Sequence, residues 1–473
     1  MQFIGRRKEL QKLQNAWASQ DAFILLDGRK YIGKTTLAQA FAEGKQALYF
    51  SAGNVSDVMN RRAFEKAFID YCGGASKASA QTTNAWKDML RLFADRPGTE
   101  RKVLIIDNFN FLVQADPGIL SVFRHAWENI LKPNFVMVVL IVPTGRLLLN
   151  MSEKSKSFMG RLTHRISLKQ VTFVELMKDF PHHDFNQLMM LYAIVGGVPR
   201  YWEYFRECIE MEEFISAIGD FFLNPYGDLL DEPVKLIENE VMDPTEYHSV
   251  LSAMASGAAT IADIAALCGY KNGGVEDLMG NLLSLGFVAR NTSIIEKKFS
   301  FSKAVEYQIA DPLLCFWYTF VFPSYQQITA GQDRVAMEQL MAGFEEYIQA
   351  WFKKVAVEIL LVACKQKTIP INCDTVGSFF NKATAVDIVG IDNTRKCLFL
   401  GDCAYRGEAY TKADYEAFVD KCEEIKELRA YKDYERVYGV FANRPFESDL
   451  MEYAMLTKNV LLFNGITIYS LNS

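Results

Sequence analysis

The sequence predicts an α/β protein with a parallel sheet between residues 21 and about 170, and three observations carry that expectation. Short apolar runs of strand length recur there: "AFILL", "ALYFS", "VLIID" and "FVMVVLIV". Helical patterns such as "TTLAQAFAEG" separate them, the alternation produced by parallel strands with crossover helices. The run starting at Val103 ends on a carboxylate, Asp107, where a parallel sheet delivers ligand-binding groups.

The first strand, "AFILLD", runs into "GRKYIGKTT", Gly28 to Thr36, which matches G-x-x-x-x-G-K-[ST] between a strand and a helix. In that setting the loop of Gly28, Arg29, Lys30, Tyr31, Ile32 and Gly33 turns backbone N–H groups inward around a β-phosphate. Lys34 reaches the β- and γ-oxygens, Thr35 ligates magnesium, and the helix opening through Thr36 adds the positive end of its dipole. ATP and magnesium are the expected ligands, with Asp107 steadying the metal. A second acid is wanted beside Asp107 to take the proton of an attacking water. The sequence has Asn108, and an amide cannot accept that proton. Binding should survive this and turnover should suffer.

Residues 1–170 therefore read as a P-loop NTPase core. Residues 171–240 read as helices only, a lid with "GGVPRYWEYF" in its midst. Over 241–325 the pattern becomes "EYHSVLSAMASG", ended by Gly257, then "TIADIAALCG", capped by Thr260 and stopped at Gly269, then "GVEDLMGNLLSLG" and a hairpin. Three helices and a wing predict a winged helix-turn-helix. Its reading helix offers Glu276 and Asp277 and no basic residue, with Lys271 just before it and Lys297, Lys298 and Lys303 in the wing. Carboxylates there repel phosphates, which favours a structural or protein-binding module over sequence-specific DNA reading.

After a polar link, "QQITAGQD", residues 335–473 predict a separate α/β domain. It opens with an amphipathic helix carrying Leu340, Phe344, Ile348, Trp351 and Val355 on one face. "AVDIVGID" and "KCLFLGDCAY" follow as strands joined at Asn393–Thr394, then a helix over 411–429, the strand "RVYGVFA", another helix and "VLLFNGITIYSL".

Composition excludes several classes. A chain of 473 residues exceeds one core, at roughly 100–200 residues per domain. A net charge of −6 argues against coating nucleic acid by bulk charge, so any DNA contact must be local. The nine cysteines are scattered without a C-x-x-C pair, which argues against disulfides and zinc and for a reducing cytoplasm. No apolar run approaches the roughly 20 residues of a membrane span, and the start lacks an apolar leader. The His182–His183 pair follows a proline in a loop and receives no chemistry.

Taken in order, "FIGRRKELQKL", "GRKYIGKT", "VLIIDNF", "SFMGRLTHRISL", "YAIVGGVPRYWEYF" and "YQIADPLLCFWYTFVFP" resemble the archaeal-type AAA-related ATPases, whose C-terminal region resembles a PD-(D/E)XK nuclease. The resemblance covers nearly the whole chain and implies further roles. Gly5 and Arg6 stand beside the adenine, Thr144 ends the sensor strand, and Arg161 matches a family arginine. Gly197, Pro199 and Arg200 match the lid motif, and either arginine would stabilise γ-phosphate charge. For Arg161 the alternative is a surface salt bridge. In the C-terminal, restriction-endonuclease-like domain the resemblance maps Asp387 and Asp402 to the metal-binding acids, with Glu345 as a third ligand. The lysine that helps activate water is replaced by Ala404, leaving Arg406 or Lys412 as substitutes.

Two readings follow. The first is a nucleotide-dependent switch with slow ATP hydrolysis and a degenerate nuclease-like domain, passing its state to a protein partner through the winged helix. The second is an ATP-dependent DNA-processing nuclease. Loss of proton-handling groups at both 108 and 404 favours the first. Oligomerisation, which an arginine acting across subunits would require, is compatible with both.

Overall fold

The computed structural model describes residues 5–74, 85–98, 100–143, 153–205, 214–241, 243–295, 305–381, 383–405 and 407–470. The chain divides into two compact units, residues 1–171 with 198–203, and residues 172–197 with 204–473. The winged-helix and C-terminal segments set out from the sequence fall in the second, as does the lid apart from residues 171 and 198–203, which belong to the first.

The first unit is built on β1 (Phe23–Gly28), β2 (Gln46–Ser51), β3 (Lys102–Asp107), β4 (Met137–Pro143) and β5 (His164–Leu168). They pair in the order β2-β3-β4-β1-β5, every pair parallel. The α/β class expected from the alternating runs is the class observed. Every residue of β1 and β3 is buried, as central strands covered on both faces must be. The register sets Gly28 opposite Pro143 and Ser51 opposite Asp107, so the C-terminal ends of β1 to β4 share one edge. One face of the sheet is filled by Phe23, Phe50, Phe64, Trp86, Phe109 and Phe123, with Phe23 stacked on Trp127 at 4.9 Å between centroids. Truncating such a ring costs about 3–5 kcal/mol, which makes this cluster the rigid floor beneath the sheet edge.

In the second unit the described parts of residues 172–197 and 204–241 carry helices and no strand, and helix Phe173–Asp179 is capped by the Thr172 side chain, which accepts from Glu175 N. Helices Pro244–Ala255, Ile261–Cys268 and Asn272–Leu285 follow, then the hairpin of β6 (Val288–Thr292) and β7 (Val305–Ile309). Thr260 caps the second helix by accepting from Asp263 N at 3.2 Å. Gly269 and Gly286 close the second and third at φ 69° and 73°, the left-handed backbone glycine permits.

The C-terminal part carries the 33-residue helix Arg334–Gln366 and a six-stranded sheet. Its strands are β8 (Thr375–Phe380), β9 (Ala385–Asp392), β10 (Cys397–Ala404), β11 (Glu435–Ala442), β12 (Val460–Asn464) and β13 (Thr467–Tyr469), in the order β13-β12-β11-β10-β9-β8. The β10-β11-β12 pairs are parallel and the others antiparallel. Sequence reading missed β8, an irregular edge strand with a register shift near Gly377, and did not divide "VLLFNGITIYSL", which turns at Gly465 into β12 and β13. The helix expected over 411–429 is Lys412–Glu424 followed by a 3₁₀ segment.

The hairpin is joined to this sheet. Ile294 N donates to Ser378 O of β8 at 3.0 Å, and Ile295 lies in the same apolar cluster as Phe379.

Candidate nucleotide-binding site

The loop 28–33 leaves β1 and enters helix Lys34–Ala42 through two left-handed residues, Tyr31 at φ 66° and Gly33 at φ 92°. Glycine accepts that region freely. A tyrosine there is held by its surroundings. Arg200 lies over the Tyr31 ring at 3.8 Å from its centroid, Lys30 Nζ lies 4.8 Å from it, and Tyr201 meets it edge-on at 6.4 Å. A Cβ at Gly33 would lie 3.7 Å from Pro199 Cγ, so the lid motif packs directly on the loop.

Behind the loop, buried Arg6 donates through Nη2 to Ile32 O at 2.8 Å. Lys34 Nζ donates to the carbonyls of Gly28 at 2.6 Å and Arg29 at 2.8 Å, which places its ammonium across the mouth of the loop. Four cationic side chains thus converge on a short backbone turn, a setting for polyanionic ligands.

The residues expected to hold magnesium gather beside it. Thr35 Oγ1 donates to Asp107 Oδ2 at 2.5 Å, and Tyr49 donates its hydroxyl to the same oxygen at 2.8 Å. Asn108 N donates to Asp107 Oδ1 at 2.8 Å. A hydroxyl and a carboxylate in direct contact supply the hard oxygen donors magnesium takes, so Thr35 and Asp107 fit the ion expected with ATP. Burial, reinforced by the Asp107 charge, pushes the Tyr49 hydroxyl above its usual range and keeps it a donor.

Asn108 stands at φ 54°, ψ 37°, the left-handed region in which Asn is favoured over other side chains. Its amide donates to Ser51 Oγ at 3.1 Å. The backbone turn gives the amide a conformational reason to occupy the position where an acid was wanted.

The other expected residues fall elsewhere. Arg161 precedes β5 at the edge of the sheet opposite the phosphate loop and is ion-paired with Glu128, both partly exposed. The structure does not bring it to the loop of its own chain. Thr144 lies outside the described residues, as do Lys297, Lys298, Lys303 and Arg406.

In the C-terminal domain Asp387 and Asp402 emerge on adjacent strands, β9 and β10. Asp402 accepts from the Tyr410 hydroxyl at 2.9 Å. Burial raises its carboxyl above the usual range, and the Asp387 charge adds to that against the opposing hydrogen bond of Tyr410. Lys353 of the long helix donates to Asp387 Oδ1 at 2.6 Å, and Gln349, one turn earlier, bonds Cys403 O at 2.9 Å and Tyr405 N at 2.7 Å. Burial opposes the charge of Lys353, but the hydrogen bond and charge of Asp387 outweigh it and raise its pKa.

Two corrections follow. Glu345 is exposed, and among the described residues no three His, Cys, Asp or Glu side chains are arranged to hold a metal ion, so the three-acid set is not assembled. Lys412 turns to the Tyr453 ring, 5.3 Å from its centroid, and does not replace the lysine missing at Ala404. Lys353 does stand at the carboxylates. It was legible in principle: Glu345, Gln349 and Lys353 recur every four residues, so the helix face that nominated Glu345 also presents Lys353. Tyr49 and Ser51 escaped notice because only the β2-β3 pairing sets them beside Asp107 and Asn108.

Comparisons with known proteins bear on the fold. Residues 317–417 match DUF234, described as archaeal and bacterial proteins of unknown function. The chain is 25% identical over 457 residues to the uncharacterized protein MJECL04 of Methanocaldococcus jannaschii, covering 93% of this chain and 96% of that one. Among solved structures it is similar to the Walker-type ATPase PABY2304 of Pyrococcus abyssi, with a TM-score of 0.51, 16% identity, and 67% and 96% of the two chains covered. The ORC2 protein of Aeropyrum pernix, in ADPNP–ADP complexes, aligns at a TM-score of 0.46 and 14% identity over 71% and 97%. With its glycine loop, parallel sheet and strand-end aspartate, the chain shares the fold of the Walker-type ATPase of Pyrococcus abyssi, and its residues 317–417 match DUF234.

Proposed function

We propose that the protein is an ATP-binding switch of the AAA-related class that hydrolyses its nucleotide slowly. The observation that carries this is the contact of Thr35 and Asp107 at 2.5 Å beside a lysine-spanned glycine loop, with an amide where the water-activating acid would stand. Magnesium, when bound, would supply the positive charge that offsets the phosphates. Thr35 and Asp107 would hold it, Lys34 and the loop N–H groups would hold the phosphates, and Tyr49 keeps the Asp107 carboxylate oriented. Asn108 and Ser51 orient a water without removing its proton, so hydrolysis forgoes the ~10²–10⁴-fold a general base contributes.

The lid segment around Pro199 and Arg200 already touches the loop, and a γ-phosphate competing for Arg200 would alter its stack on Tyr31. That is the element through which nucleotide state reaches the rest of the chain. The winged-helix region then acts as a structural or protein-binding relay: its hairpin is tied to β8, and its third helix presents exposed Glu276 and Asp277. Calorimetry with ATP and magnesium tests the reading. Binding should occur in the wild type and vanish in Lys34→Ala, and a folded wild type that takes up no nucleoside triphosphate overturns it.

One observation favours a second reading, an ATP-dependent DNA-processing nuclease. Lys353 supplies beside Asp387 the cationic side chain that Ala404 lacks. Plasmid and single-stranded DNA incubated with magnesium or manganese decide this: cutting that is lost in both Asp402→Ala and Lys353→Met replaces the switch with the nuclease, and intact DNA retires the nuclease.

A further inference from the structure

Two strand ends of the C-terminal sheet meet one side chain of the lid. β10 and β11 run parallel with Ala404 opposite Ala442, so the residues that follow them, Tyr405 and Asn443, leave the same edge of the sheet together. Asn186 stands in the first turn of helix Phe185–Val195, and its Oδ1 accepts from the Tyr405 hydroxyl and from Asn443 Nδ2 at 3.1 Å. The Asp184 side chain fixes the start of that helix by accepting from Asn186 N at 3.2 Å. Rings back the junction. Tyr405 meets Phe352 of helix Arg334–Gln366 at 5.3 Å between centroids, and Phe352 meets Phe185 at 6.3 Å. Phe185 also packs against the turn at Gly465, where a Cβ would lie 3.1 Å from its ring.

From Tyr405 the bonding continues to the carboxylate pair. Tyr405 N donates to Gln349 Oε1 at 2.7 Å, and Gln349 Nε2 donates to Cys403 O at 2.9 Å, so one helix side chain brackets Ala404. Cys403 N in turn donates to Asp387 Oδ2 at 3.2 Å, while Lys353 donates to the other oxygen. The β9-β10 register sets Gly401 opposite Ile388, which brings Asp402 and Asp387 abreast one step further on. An unbroken run of contacts therefore leads from the lid helix to the acids, and all of it lies in the second unit.

We propose that Asn186 is a positioning residue for the Asp387–Asp402 pair, and that the lid helix regulates the pair by supplying or withdrawing the Asn186 amide oxygen. With the helix seated, both strand ends have their acceptor, Tyr405 keeps Gln349 in place, and Cys403 N fixes Asp387 beside Asp402. When the helix shifts, Tyr405 and Asn443 lose the acceptor they share. Leaving a buried hydroxyl and an amide without an acceptor is unfavourable, so the strand ends follow the helix. The Tyr405 backbone then releases Gln349, and the hydrogen bond that orients Asp387 is lost with it. The acids keep a fixed arrangement only while the lid is seated. The inference needs neither nucleotide binding nor DNA cutting.

Hydrogen–deuterium exchange of the full chain, read at single amides by fragmentation mass spectrometry, tests the link. The Cys403 amide reports on Asp387 and the Tyr405 amide on Gln349. Asn186→Leu withdraws the acceptor and should raise exchange at both amides by about tenfold, leaving Phe399 and Val437, deeper in the two strands, unchanged. Asn186→Asp keeps the oxygen and should retain slow exchange. Tyr405→Phe keeps the ring against Phe352 and should also speed exchange at Cys403, which preserves the test if Asn186→Leu does not fold. The double variant should exchange no faster than Asn186→Leu alone. The proposal is overturned if Cys403 keeps its wild-type rate in folded Asn186→Leu or Tyr405→Phe, or if all amides of β10 accelerate equally. Additive acceleration in the double variant, or exchange in Asn186→Asp as fast as in the leucine variant, overturns it as well.

Discussion

Arg200 stacks on the ring of Tyr31, 3.8 Å from guanidinium carbon to ring centroid, and so joins the lid motif to the most conformationally constrained residue of the phosphate loop. A cation over an aromatic face contributes about 0.5–2 kcal/mol. A double-mutant cycle on thermal stability with Tyr31→Ala and Arg200→Ala should return a coupling of about 1 kcal/mol. Additivity within ~0.3 kcal/mol would mean the stack transmits nothing.

Asn108 sets the rate in this reading. Replacement by Glu supplies a base but places a longer side chain at φ 54°, whereas Asp supplies a carboxylate in a backbone region it tolerates. Steady-state turnover should rise at least ~10-fold in one or both variants. Unchanged rates in both would mean that another group already accepts the proton.

Tyr49→Phe removes one donor from Asp107 and leaves Thr35 in place. Outer partners that orient a metal ligand typically account for ~10–100-fold in metal affinity. The variant should therefore need about tenfold more magnesium for tight ATP binding, with little change in binding measured in EDTA. Equal loss in both conditions would assign the hydroxyl to packing.

Glu358 gives a pH signature. Burial raises its carboxyl to about 7 against its accepted hydrogen bonds from Phe173 N and the Tyr192 hydroxyl. Between pH 4.5 and 7 the folded chain holds a proton that the unfolded chain has lost, so this group's contribution falls as pH rises through that window. The span is on the order of 3 kcal/mol. Lys354, lowered to about 8 by burial, acts in the opposite sense and only above pH 8. Glu358→Gln should flatten the decline of Tm between pH 5 and 8, and an unchanged slope would place the proton elsewhere.

Lys353→Met strips Asp387 of its partner. The lysine is 43% exposed, so solvent screens the pair and the expected loss is only on the order of 1 kcal/mol in chemical denaturation. Asp387→Asn in the same chain should recover most of it, because no unpaired charge then remains.

What the sequence discloses follows the range of the interactions. The phosphate loop and Asp107 are readable because their chemistry is written in consecutive residues. Helix ends at Thr260 and Gly269 are readable for the same reason, since capping reaches only three or four positions. Tyr49 is not, because its meaning depends on β2 lying beside β3. Lys353 is not read outright either, since its partner Asp387 is 34 residues away on a strand. Arg161 shows the converse: a motif match names a residue, yet only the register of β5 on β1 reveals which edge of the sheet it occupies.

The bond from Ile294 to Ser378 also bears on solubility. β8 is the outermost strand of its sheet, and a bare outermost strand invites a foreign chain to pair with it. The hairpin residues shield that rim, so a fragment beginning at residue 335 would leave it uncovered and prone to self-association, while one beginning near residue 244 would keep its own guard.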